Sequence, residues 1–137
     1  MTRRRRLIPF AVVALFIAAG YAGSNWSQRE RRSAERRPVV IPELSETARA
    51  GARAFVAHCA RCHGLDAGGT AAGPTLVDPI YRSAHHADAS FQLAVRRGVL
   101  AHHWSFGNMP SVPGVNADEV ASIIRYVREV QKANGVE

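Results

Sequence analysis

The sequence of 137 residues has little of what marks several common protein classes. It has two cysteines, so no second cysteine pair is present to complete a four-cysteine zinc site. No alternating strand pattern and no internal repeat is found. The net charge is +7, but no aromatic residues are interleaved with the basic ones, and from residue 42 onward acidic and basic residues balance at nine each. Because the basic excess lies outside the predicted folded part, we do not expect nucleic-acid binding.

The amino terminus has the pattern of an export signal. Arg3 to Arg6 precede an apolar run of about 16 residues, from 7 to about 22. This is short for a membrane span, which needs roughly 20 residues, but extension to Trp26 supplies the length, and no good small-x-small cleavage site precedes Ser24. We predict a signal or anchor segment over 1–23 that stays uncleaved, with the rest of the chain on the periplasmic side of the cytoplasmic membrane. A soluble periplasmic protein after cleavage is the alternative.

The next segment, 24–42, is predicted to be a flexible linker. It is polar and rich in arginine, has no apolar period, and carries prolines at 38 and 42. The remaining residues, 43–137, are expected to form one domain.

The first of three helical patterns in this domain leads to the cysteines. Apolar or small residues recur with helical spacing at 48, 51, 52, 55, 56 and 59, and Ser45 can cap the amino terminus. The pattern predicts a helix that brings Cys59 to its carboxyl end.

Two further helices are predicted after long segments rich in glycine and proline. Asp88 is expected to cap the second helix, which ends at Gly98 and has an inward face of Phe91, Ala94 and Val95. Asn116 and Glu119 resemble a capping box that opens the third helix, which ends at Gly135. Its apolar stripe consists of Val120, Ile123, Ile124, Val127 and Val130. Loops this long in a compact domain need something to order them, and a buried haem would do so.

The segment from Cys59 to His63 has the C-x-x-C-H spacing of c-type haem attachment. Two thiols three residues apart at a helix end can each add to a haem vinyl group, and the adjacent imidazole can bind the iron. The same cysteines could form a structural disulfide, a thioredoxin-like redox pair, or half of a zinc site completed by histidines. We favour haem because the pair closes a helix and no βαβ pattern is present.

Met109 is the candidate for the second axial ligand. It is the only methionine apart from Met1, and Pro110 after it restricts its backbone to extended conformations. A methionine that fills a gap in the core usually lies on a helix face instead. Histidine and thioether ligands together favour reduced iron, which suits a carrier of electrons.

These residues together resemble the class I cytochrome c family from Ser45 to about Ala133. The shared pattern comprises a glycine and an aromatic before C-x-x-C-H, a Gly-Pro-x-Leu loop, a Met-Pro loop and an aromatic in the last helix, here Gly51 and Phe55, residues 73–76, Met109 and Pro110, and Tyr126. The resemblance implies an all-α fold of three main short helices and long loops around one covalent haem c. It also implies that the Pro74 carbonyl accepts a hydrogen bond from Nδ1 of His63 and that Gly51 lets the first and last helices cross closely.

Four further histidines are not part of this family pattern. His85-His86 and His102-His103 could bind a second metal such as copper, supply an alternative axial ligand, or gate redox change by protonation. Adjacent side chains point apart on most backbones, and one pair alone makes a poor chelate. We therefore favour packing around haem propionates and helix ends.

The function predicted is transfer of single electrons between redox partner proteins that dock transiently, without enzymatic activity, alone or as a subunit of a larger oxidoreductase. A haem peroxidase or gas-binding sensor would need an open iron site and a distal group such as His102 or His103. A copper-handling protein would use the histidine pairs.

Overall fold

The computed structural model describes residues 38–137, together with Gly20. Residues 38–137 form a compact all-α unit. Its elements in chain order are α1 (Glu46–His58), α2 (Ala60–His63), a 3₁₀ helix (Pro79–Tyr81), α3 (Asp88–Arg97) and α4 (Ala117–Ala133). No strand forms over these residues, apart from one isolated antiparallel bridge. The three predicted helices are α1, α3 and α4, and the structure adds two short helical segments.

Helix α1 begins and ends where its sequence predicts. The Ser45 side chain caps the first turn by accepting a hydrogen bond from the amide of Ala48 at 3.3 Å. At the other end Cys59 is the C-cap, and its amide donates to the Phe55 carbonyl at 2.8 Å. The helix buries Ala48, Gly51 and Phe55, which lie on the predicted stripe, and it therefore delivers Cys59 to its carboxyl end.

Helices α1 and α4 cross at Gly51. A Cβ atom added there would lie 1.8 Å from the Ser122 carbonyl oxygen, so only glycine permits this approach. Next to the crossing the rings of Phe55 and Tyr126 pack with centroids 5.2 Å apart. Both side chains are almost completely buried. The close crossing implied by the family resemblance is confirmed.

The boundaries of α3 agree with prediction at one end only. Asp88 was expected to be the cap, but it is the first helical residue, Ala87 is the N-cap, and no side chain caps the helix. The Asp88 carboxylate instead accepts a hydrogen bond from Nε of Arg128, at 2.9 Å, which is a stronger partner than a backbone amide. The helix ends at Gly98, which has the positive φ of +74° expected of a terminating glycine.

Helix α4 is the main source of the core. Asn116 and Glu119 form the predicted capping box, and the chain leaves the helix through Gly135 at a φ of +75°. All five residues of the predicted stripe are buried: Val120, Ile123, Ile124, Val127 and Val130. They divide between two clusters, one against α1 and one against α3.

The compact unit also includes residues 38–42, which the sequence analysis assigns to the linker. Val39 packs against the larger core cluster. The Val40 amide donates to Oδ1 of Asn134 at 3.0 Å, and the Asn134 side-chain amide donates back to the Val40 carbonyl at 2.8 Å. This pairing with the end of α4 is a contact between residues far apart in sequence, and nothing local indicates it.

The predicted signal or anchor, 1–23, and residues 24–37 of the predicted linker lie outside the described part of the chain, Gly20 excepted. Within that part, no helix has the length and apolar character needed to cross a membrane.

Candidate functional site

The C-x-x-C-H segment occupies the turn between α1 and α2. The backbone bends at Cys59, and the amides of Cys62 and His63 both donate to its carbonyl, at 3.1 and 3.0 Å. The four-residue helix α2 therefore holds the second cysteine and the histidine at fixed offsets from the first. Cys59, Cys62 and His63 are all half-buried, and neither cysteine forms a disulfide.

The His63 ring is held by the Pro74 carbonyl, as the family resemblance implies. Nδ1 lies 2.9 Å from this oxygen. Because a carbonyl only accepts, Nδ1 carries the proton, and Nε2 of the neutral ring keeps its lone pair for a metal. Burial lowers the pKa of His63, while the hydrogen bond to Pro74 acts in the opposite direction. The structure thus presents a neutral imidazole with its tautomer and orientation fixed.

The loop that carries Pro74 is folded onto the cysteine motif. The Thr70 hydroxyl donates to the Cys62 carbonyl at 2.6 Å, and the Gly69 amide donates to the His63 carbonyl at 2.7 Å. At Gly73 a Cβ atom would lie 2.9 Å from the Cys62 carbonyl oxygen, so the glycine of the Gly-Pro-x-Leu segment lets the loop approach closely. These contacts place the Pro74 carbonyl beside His63.

The environment of Cys59 differs from that of a reactive redox thiol. Burial, with a smaller effect of the neighbouring Cys62, raises the pKa of Cys59 to about 11. Thioredoxin-like pairs work through a thiol whose pKa is lowered, because the thiolate is the nucleophile. The position of the pair at the end of α1 and the raised pKa both disfavour the redox-pair interpretation.

Met109 lies in a loop that is fixed by backbone contacts. It forms the isolated bridge with Val99, in which each amide donates to the other residue's carbonyl at 2.9 Å. Gly98 makes this possible, because a Cβ atom there would lie 2.4 Å from the Met109 carbonyl oxygen. Beyond Pro110, the Val112 amide donates to the Val95 carbonyl at 2.8 Å. The Met-Pro segment is therefore tied to the end of α3 both at Met109 itself and beyond Pro110.

One cavity of about 640 Å³ brings these residues together. Its lining includes Cys59, His63, Pro74 and Met109, while the half-buried Cys62 does not line it. Much of the remaining wall is apolar, including Phe55, Leu76, Val95, Ile123 and Val127. Cofactor pockets typically have volumes of roughly 300–1,000 Å³ and apolar walls with a few placed polar groups. A paired thiol motif, a free imidazole nitrogen and a thioether at such a wall fit a covalent haem.

The two histidine pairs behave differently from expectation. Neighbouring rings do not point apart: the ring centroids of His85 and His86 are 4.8 Å apart, and those of His102 and His103 are 4.1 Å apart. The expectation holds for extended chain, whereas the first pair lies in a turn in which both amides donate to the Arg82 carbonyl. The two pairs also meet each other through the rings of His86 and His103, and all four histidines line the cavity.

Sequence analysis missed two polar residues of α4 that hold the loops around the cavity. Gln131 is 1% exposed, and its side-chain amide donates to the Leu76 carbonyl at 2.8 Å. Arg128 donates to the Gln131 side-chain oxygen and to the Tyr81 carbonyl, both at 2.7 Å, and to the His86 carbonyl. The position of Gln131, four residues after Val127 on the apolar stripe, was an available signal of burial.

The model of the cytochrome c family matches residues 48–131 of the chain. No curated protein matches the chain, and no solved structure matches it. The matched segment covers more than half of the sequence and contains the cysteine motif, the Pro74 loop, the Met109 loop and the helix crossing. The chain therefore belongs to the cytochrome c family, and its haem c is bound covalently through Cys59 and Cys62.

Proposed function

We propose that this protein is a carrier that passes single electrons between redox partner proteins on the periplasmic side of the cytoplasmic membrane. Haem-based electron transfer in general follows from the family. The observation that supports a carrier is that His63 and Met109 line the same cavity, with Met109 in a loop held by its own bridge to Val99. When bound, the haem supplies an iron that alternates between ferrous and ferric states.

We propose His63 and Met109 as the two axial ligands. Nε2 of His63 is the free nitrogen of the ring, because Nδ1 donates to Pro74. The Met109 backbone is held by both hydrogen bonds of the Val99 bridge, so its side chain is presented from a rigid support. Ligands on rigid supports stay in place in both oxidation states, which keeps reorganisation small. With both side chains as ligands, the iron would have no free position at which a substrate could bind.

Location and partners are proposed from the sequence. The arginines and apolar run of 1–23 favour export and retention as an anchor, with 24–37 as spacer. From residue 42 onward the charges balance, so this part of the chain has no strong field to steer a partner. We infer that partners dock through small transient interfaces whose formation depends weakly on ionic strength.

The optical spectrum of the purified holoprotein tests the ligand assignment. We expect low-spin spectra in both oxidation states, with the weak far-red band of thioether-to-iron coordination in the ferric form. Met109→Ala should abolish that band with covalent haem retained. Met109→His should restore a low-spin spectrum but lower the midpoint potential, because bis-histidine ligation favours ferric iron relative to histidine and methionine. His58→Ala is the matched control, since His58 is exposed and adjacent to the motif.

Other outcomes would contradict the proposal. A high-spin ferric spectrum in the unaltered protein would mean an open iron position and would favour a peroxidase or gas-binding function, for which His102 and His103 line the cavity. A far-red band that persists in Met109→Ala would remove Met109 as the ligand.

A further inference from the structure

The histidines outside the haem motif form a second group of potential metal ligands. His85 and His86 follow the 3₁₀ helix, and His103 lies in the loop before Met109. One nitrogen from each of the three rings can be chosen so that all three atoms lie within 4.8 Å of one another. The ring centroids are separated by 4.8, 5.2 and 5.9 Å. Three imidazoles from two separate loops thus each place one nitrogen within 4.8 Å of the other two.

The separations between the ring centroids agree with those of a metal centre. With metal–nitrogen bonds of about 2.0–2.1 Å and tetrahedral angles, the centroids of ligating imidazole rings lie roughly 5 Å apart. Ligating nitrogens would then be roughly 3.4 Å apart. The ring centroids are therefore already spaced as in a metal centre, and the rings need to turn so that their nitrogens, which lie within 4.8 Å of one another, come closer together. His85 and His103 are exposed side chains.

His86 already has the hydrogen bonding of a metal ligand. Its Nδ1 lies 2.7 Å from the Ile80 carbonyl, which can only accept. Nδ1 is therefore the protonated nitrogen, and Nε2 is left with a free lone pair. Metal-bound histidines almost always donate their other ring nitrogen to a carbonyl or carboxylate, which fixes tautomer and orientation. Arg128 holds the same residue from α4 by donating to the His86 carbonyl.

The two loops that supply the histidines are joined to each other. Nε1 of Trp104 donates to the Tyr81 hydroxyl at 2.9 Å, which links the loop of His103 to the 3₁₀ helix before His85. Tyr81 itself packs against the His86 ring with centroids 5.2 Å apart. A ligand set held in place in this way loses less entropy when it binds an ion.

His102 lies beside the trio, with its Nδ1 donating to the Leu100 carbonyl at 2.7 Å, and it is not one of the three histidines whose nitrogens lie within 4.8 Å of one another.

We propose that His85, His86 and His103 bind one divalent transition-metal ion of the kind that prefers imidazole, Cu²⁺ or Zn²⁺. Neutral imidazole suits these ions, and for a given nitrogen site Cu²⁺ binds more tightly than Zn²⁺. Three protein ligands leave a further coordination position for water or an anion. The site is additional to the haem iron and uses neither His63 nor Met109.

Titration of tag-free ferric holoprotein tests the site. Isothermal titration with Zn²⁺ should give one ion per chain. The Cu²⁺ complex at liquid-nitrogen temperature should show an electron paramagnetic resonance signal split by nitrogen ligands. His85→Ala, His86→Ala and His103→Ala should each weaken binding on the order of 100-fold, because each removes a ligand. His58→Ala, which removes an exposed histidine elsewhere, should bind as the unaltered protein does.

Three outcomes would overturn the proposal. The first is that Zn²⁺ does not bind one-to-one. The second is that the three cluster variants bind the metal ion as tightly as the unaltered protein does. The third is a haem spectrum that shows a cluster histidine in place of Met109 at the iron. The haem spectrum of each variant is recorded beside the titration. Loss of metal binding with an unchanged haem spectrum therefore remains distinct from failure of the carrier assignment.

Discussion

Substitution of Gly51 by alanine should loosen the contact on which the fold depends most. The added Cβ atom would lie 1.8 Å from the Ser122 carbonyl oxygen and 2.3 Å from its carbonyl carbon. Both are backbone atoms of α4, so no side-chain rotation can relieve the overlap. Helices α1 and α4 would have to separate until the distance from the added Cβ to the Ser122 carbonyl oxygen rises from 1.8 Å to at least the 3.4 Å of ordinary contact. Phe55 and Tyr126, packed beside the crossing, would separate with them.

The expected cost follows from two opposing effects. Overpacking of a close-packed core typically costs about 1–3 kcal/mol, and the upper end applies here because the clash is with backbone. Alanine is favoured over glycine in a helix by about 1 kcal/mol. The net destabilisation should therefore be about 2 kcal/mol or more. For a domain of this size such a loss lowers the melting temperature by roughly 8–16 °C.

Thermal unfolding of the holoprotein, followed by circular dichroism, measures this change. Arg53 provides the matched control, because it is an exposed residue of α1. The difference between Arg53→Ala and Arg53→Gly gives the helix-propensity effect alone, about 1 kcal/mol in favour of alanine. If Gly51→Ala proved as stable as the unaltered protein, or more stable, the inferred close crossing would be wrong.

Two further substitutions test the supports of the site and of α1. Gly98→Ala places a Cβ atom at a φ of +74° and 2.4 Å from the Met109 carbonyl oxygen. It should therefore weaken the far-red band and lower the melting temperature. An unchanged band would show that Gly98 does not position Met109. Burial acts to raise the pKa of Glu129, but hydrogen bonds from the amide and hydroxyl of Ser45 and from Arg125 lower it overall. The stabilisation by this carboxylate is therefore complete above the ordinary glutamate pKa and is lost as the pH falls through the lowered pKa. Urea unfolding of Glu129→Gln should accordingly show a smaller loss of stability on acidification than that of the unaltered protein.

Local signals in the sequence predicted most of the framework. Ser45 and the pair Asn116 and Glu119 cap helices through contacts within three residues, and Gly98 ends one through its own φ. The spacing of the C-x-x-C-H segment likewise acts within a single turn. These features depend on neighbours in the chain, so they can be inferred without knowing the tertiary structure.

The features that escaped prediction depend on contacts between distant residues. Asp88 was expected to cap α3, but Arg128, 40 residues away, is its partner. Val40 pairs with Asn134 across 94 residues, so the folded unit starts before the predicted boundary. The meeting of His86 and His103 requires two loops to be brought together by Trp104, Tyr81 and α4. A pattern of adjacent histidines carries no information on that geometry.

The most direct test of the carrier assignment is exposure of the ferrous holoprotein to carbon monoxide, followed by its optical spectrum. Carbon monoxide binds ferrous haem only where an axial position is open or a ligand leaves readily. With His63 held by Pro74 and Met109 held by the Val99 bridge, the spectrum should remain unchanged at neutral pH. Rapid conversion to a carbon monoxide complex in the unaltered protein would contradict six-coordinate iron and favour a haem enzyme or gas sensor.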